Sequence, residues 1–123
     1  MTTLGVLLLD GSHDRAHYAL VVATGAAALG RDVTLFTTNS GCRLFLRDAP
    51  LLADAREARI VAQGVAGIAT LMDAAADLGI RRIACEAGLR AEGLHGATLL
   101  PGVEVAGIAT FLAAVGGGQI VTL

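Results

Sequence analysis

The chain has no tryptophan, one tyrosine and three phenylalanines, so its 54% hydrophobic residues are mostly small and aliphatic. Side chains of that kind favour close helix-on-sheet packing over a base-stacking surface. A net charge of −2, with the arginines scattered or paired as at Arg81-Arg82, leaves no basic tract for a nucleic-acid backbone. Long apolar runs are absent too. The longest, Tyr18 to Leu29, covers about twelve residues and includes Thr24 and Gly25, against the roughly twenty that a membrane-spanning helix needs. The opening MTTLGVLLLDGSHD carries no basic stretch before its short apolar core, so no secretory signal is expected. Cysteine is scarce: Cys42 and Cys85 stand 43 positions apart, which suits neither a disulfide framework nor a zinc site. The expected compartment is the cytoplasm, where both thiols stay reduced.

What is present points to one folded domain spanning residues 1–123. Charged residues make up only 16%, and so apolar a composition excludes disorder. Mean hydropathy of +0.67 is high for so small a chain. Burial between subunits accounts for that excess, since obligate interfaces resemble a core cut in half. A homo-oligomer is therefore expected.

Along the chain, TLGVLLL (residues 3–9) reads as a strand buried on both faces. DGSHD is a turn in which Ser12 or Asp14 can cap the next helix, which runs to about Leu29 and stops at Gly30. DVTLFT (32–37) is a second strand and completes a β-α-β unit. Asn39-Ser40-Gly41 make a polar loop, with Cys42 at the start of a short helix. Residues 48–64 are the hardest to place, and ARIVA (58–62) reads as a minor edge strand or part of a mobile segment. A helix is expected over Val65–Leu78, with Ile68, Leu71, Met72 and Ala75 on one face. IRRIAC (80–85) is the third strand and residues 86–100 a long loop. A last helix is expected after Pro101-Gly102, with Val105, Ile108 and Leu112 on one side, and QIVTL closes the sheet. This alternation predicts an α/β sandwich with a mainly parallel sheet. The hexapeptide VAGIAT occurs at 65–70 and again at 105–110. Two copies make no repeat architecture, and packing accounts for them, with Gly67 and Gly107 allowing close approach.

Few residues are placed to carry chemistry. Cys85 ends a predicted parallel strand, where open α/β sheets form their ligand crevice. It reads either as a small buried hydrophobe or as a thiol activated by backbone N–H groups and by Arg90. Glu86 is the specific objection, because a carboxylate turned towards the sulfur would disfavour the thiolate. Cys42 follows the second strand and opens on the same sheet edge, so it is either an isolated thiol or the second member of a pair. His95 lies in the loop that begins at Cys85 and is either an accessory imidazole or a surface histidine. His13 and His17 are spaced i, i+4, but with no third ligand nearby they read as a solvated helix start rather than a metal site. LLLDGSHDRA lacks both glycine-rich phosphate motifs, so the nucleotide signal is weak.

The second half, IACEAGLRAEGLHGATLLPGVEVAGIATFLAAVGGGQIVTL, resembles the DsrE/DsrF-like (YchN/TusD-type) family of sulfur-relay proteins. A cysteine at a strand end, an Arg- and Gly-containing loop, GVEVAG, a helix and a final strand carry the likeness. The resemblance implies a three-layer α/β/α sandwich with a mainly parallel sheet of four to five strands, assembled as a homotrimer or hexamer. It implies that Cys85 matches the cysteine that accepts and passes on a persulfide sulfur, with Arg90, His95 and Cys42 as candidate accessories. A sulfur-donor or sulfur-acceptor protein would be the partner, and no cofactor or metal is implied. The alternative is a non-catalytic oligomeric binding module in which Cys85 is structural.

Overall fold

The computed structural model describes residues 2–123. Five strands form one sheet: β1 (Leu4–Leu8), β2 (Val33–Thr37), β3 (Arg81–Cys85), β4 (Val103–Ala106) and β5 (Gln119–Thr122). Their spatial order is β4-β3-β2-β1-β5, and every neighbouring pair is parallel. Helices α1 (His13–Ala28) and α3 (Ile68–Asp77) cover one face, α5 (Ile108–Val115) covers the other, and α2 (Ala55–Ala62) packs beside α1. This is the three-layer α/β/α sandwich with a parallel sheet.

Strand alternation divides the core in two. Leu4, Val6 and Leu8 of β1, with Val33 and Leu35 of β2 and Ala84 of β3, pack against Ala16, Ala19, Leu20 and Ala23 of α1. The intervening positions, Phe36 and Ile83 among them, meet Phe111 and Val115 of α5. The Phe36 and Phe111 rings stack with centroids 4.9 Å apart. Burying a side chain of this size contributes about 1.5–3 kcal/mol. Gly5 permits that contact, because a Cβ there would strike Val115 and lie 2.7 Å from the Phe111 ring.

Three expectations are corrected. ARIVA is not an edge strand: residues 55–62 form α2, started by the Asp54 side chain accepting the Arg56 N–H. Residues 86–100 are not a single loop, since Glu86–Ala91 form the short helix α4, which ends before Gly93 at φ 69°. The last helix starts at Ile108 rather than after Gly102, and residues 103–106 are β4, placing Val105 on a strand. The physical reason is the open edge of β3. Arg82 to Cys85 pair with Val103 to Ala106, and the ladder hydrogen bonds outweigh any helical preference of four residues.

Candidate functional site

The site is built at the carboxyl edge of β3. Cys85 lies opposite Ala106 of β4 in the ladder and caps the amino end of α4. Its sulfur accepts the backbone N–H of Gly88 at 3.4 Å. The residue is 7% exposed, and its side chain shares the α5 face of the sheet with Phe36, Ile83 and Phe111. Hydrogen bonding of this kind stabilises a thiolate, whereas apolar burial opposes it. The carboxyl end of a parallel strand thus delivers the sulfur to a helix start with little solvent around it.

Glu86 does not turn towards the sulfur side of the helix start. Its carboxylate is exposed and lies 3.6 Å from the Arg90 guanidinium, one helical turn on. Both side chains are on the solvent face of α4, where such pairs contribute only about 0.3–0.5 kcal/mol. Arg90 is thus engaged with Glu86, and His95 is exposed in the turn beyond α4.

Cys42 sits in the 3-10 helix Asn39–Phe45 that follows β2. It is fully buried, in the part of the core that faces α1 and α3. Burial pushes its thiol up, and the neighbouring Cys85 is close enough for its sulfur to add to that effect and its backbone N–H to oppose it. The structure therefore brings the two cysteines together at one sheet edge, with their side chains in different halves of the core. Both are free thiols.

His13 and His17 are a correction as well. Neither is solvated: both are buried, with rings stacked at 6.0 Å. His13 Nε2 is 2.7 Å from Glu57 Oε1, and His17 Nε2 is 2.8 Å from the Ala66 carbonyl. The Glu57 carboxylate also accepts the Ile68 and Ala69 N–H groups at the start of α3. Partial burial alone would raise the Glu57 carboxyl, but the Ile68 N–H, His13 and the Ala69 N–H together hold it below its ordinary value. Glu57 escaped notice in the sequence because its partners lie 44 and 11 residues away. Among the described residues no group of three or more His, Cys, Asp or Glu is arranged to hold a metal ion, and no helix is long and apolar enough to cross a membrane.

A polar cavity of about 400 Å³ opens at the end of β1, lined by Asp10, Ser12, Ser40, Arg43 and Asp54 among others. Cys85 does not line it.

No curated protein matches the chain. Among solved structures, the YchN protein from E. coli superposes with a TM-score of 0.77 at 13% identity, covering 100% of both chains. At that identity the likeness is one of fold. The sequence itself matches the DsrE/DsrF-like family over residues 4–122, and the chain therefore belongs to that family.

Proposed function

We propose that this protein is a small sulfur carrier, in intracellular sulfur oxidation or sulfur relay, that holds a sulfane sulfur on Cys85. The Cys85 thiolate attacks the outer sulfur of a donor persulfide. The donor S–S bond breaks, the donor leaves as a thiolate, and Cys85 becomes a persulfide. An acceptor thiolate then attacks the outer sulfur of that persulfide, taking the sulfur and returning Cys85 as a thiolate. Neither step needs an external oxidant or reductant, and the donor and acceptor are partner thiol proteins.

The observation that carries this reading is the Cys85 sulfur at the carboxyl edge of β3, accepting the Gly88 N–H at 3.4 Å. The outward Glu86 carboxylate, paired with Arg90, supports it by removing the like-charge objection. We assign Cys42 an accessory place beside Cys85, since a fully buried thiol pushed up by desolvation is a poor nucleophile. We read Arg90 and His95, both exposed, as residues that meet a partner protein rather than the resting sulfur; their exposure supports this. Two reduced cysteines suit the cytoplasm. Exposed Ile108, Leu112 and Ile120 on α5 and β5 favour a homotrimer or hexamer built on that face.

The test is intact-mass and peptide mass spectrometry after incubation with a persulfide donor. The parent should gain one sulfur on Cys85, and Cys85→Ser should gain none. Equal loading of the two sinks the proposal. A second reading, an oligomeric binding module with Cys85 as packing, is favoured by the 7% exposure of that residue. It predicts a Cys85 inert to thiol reagents in the native protein and reactive once unfolded.

A further inference from the structure

We propose that Gly88 is the positioning residue of the sulfur site: its backbone N–H holds the Cys85 sulfur, and the Thr38–Asn39 turn holds that N–H in place. The inference rests on the carrier reading and adds a residue that neither motif nor spacing singled out.

Three observations meet at this point. The Gly88 N–H donates to the Cys85 sulfur in a buried hydrogen bond. A Cβ on Gly88 would collide with Thr38 Oγ1 and come within 2.5 Å of the Asn39 backbone nitrogen and 2.9 Å of the Thr38 Cα. Two of those three obstacles are backbone and cannot swing aside, so α4 reaches this depth only because residue 88 has no side chain. Asn39 itself is left-handed at φ 51°, a conformation that asparagine tolerates better than most residues. That turn leads the chain from β2 into the 3-10 helix that packs against both β3 and α4.

The turn after β2 therefore sets the distance between α4 and the sheet edge, and that distance sets where the Gly88 N–H points. A donor fixed on sulfur favours the thiolate over the thiol, because it bonds the charged form more strongly. Gly88 touches neither donor nor acceptor persulfide; it acts through Cys85.

The experiment is the pH profile of Cys85 alkylation by iodoacetamide, read on the Cys85 peptide so that Cys42 does not contribute. Two full-length variants are compared with the parent. Gly88→Ala adds the obstructing methyl group. A chain with glycolate in place of Gly88, assembled by ligation at Cys85, replaces the 87–88 amide by an ester and removes only the donor. Both should move the midpoint of the profile to higher pH and lower the rate at pH 7 roughly three- to tenfold. A residue that only supports the fold would lower thermal stability and leave the midpoint where it was. Should Gly88→Ala not fold, the ester chain decides alone. A folded ester chain with the parent midpoint overturns the proposal. Persulfide loading of the parent is scored separately, so a parent that never loads refutes the carrier reading without altering the midpoint comparison.

Discussion

The two copies of VAGIAT have identical sequences and different structures. In residues 65–70 the first three residues are irregular, and Gly67 precedes α3. In residues 105–110 the first two belong to β4, and Gly107 precedes α5. Ile68 is 3% exposed, whereas Ile108 is 47% exposed. A Cβ on Gly67 would lie 2.5 Å from the Glu57 carboxylate, while one on Gly107 would meet nothing within 4 Å. Close approach is thus confirmed at Gly67 and corrected at Gly107. What the two copies share is local: an extended glycine followed by a helix beginning with Ile-Ala-Thr. What separates them is what stands opposite, the partly buried Glu57 carboxylate in one case and the edge of β3 in the other.

The contrast is sharpest at the isoleucines. Ile68→Ala should cost about 2–5 kcal/mol of unfolding free energy by chemical denaturation. Ile108→Ala should change the stability of a single subunit by less than about 0.5 kcal/mol. Equal costs would mean that Ile108 is buried by another copy of the chain. Ile108→Asp then sharpens the point: if the proposed homo-oligomer forms on this face, analytical ultracentrifugation should show the variant as smaller species with the far-UV circular dichroism retained.

Glu57 is the next largest effect. Glu57→Ala strips a partner from His13 and from two N–H groups of α3, and should cost about 2–3 kcal/mol. Its pH dependence has a definite sign. The Glu57 carboxyl is held below its ordinary value of 4.5 in the folded protein. Its contribution is therefore complete above that value and is lost as pH falls further, through the folded-state value. Thermal melts of the parent should show this acid loss, and Glu57→Gln should show less of it. Identical acid limbs would break the assignment.

Smaller still is the glycine pair. Gly67→Ala must displace the Glu57 carboxylate from its donors and should cost about 1–2 kcal/mol. Gly107→Ala should cost about 0.5 kcal/mol or less by the same melts, because its surroundings are open. A large effect at Gly107 would point to a neighbouring subunit packed against that turn.

Elements with a strong local signature were legible from the residues alone. The apolar runs at 4–8, 33–37 and 81–85 are strands within a residue or two of expectation, and Gly30 ends the first helical stretch at φ 90°. The carboxyl-edge position of Cys85 followed from the same reading, because strand direction and the β-α-β order suffice for it. Elements whose identity depends on a distant partner were not legible. VEVA has the look of a helix start until β3 offers it an edge. EAGLRA is too short to register a helical period, and its capping group is the Cys85 sulfur itself.

The sequence by itself determined the α/β alternation, the family likeness, and the position of Cys85 at the carboxyl edge of a strand. Each is written in consecutive residues, where periodicity and residue type suffice. The tertiary structure alone decided the environment of each group. It turned Glu86 to solvent, sank Cys42 in the core, and closed His13 against Glu57 and His17 against the Ala66 carbonyl. It also brought the Thr38–Asn39 turn against Gly88 so that an N–H reaches the Cys85 sulfur. Most of those outcomes depend on contacts between residues far apart in the chain, and burial and hydrogen bonding act on the residues that meet, whatever their separation in sequence.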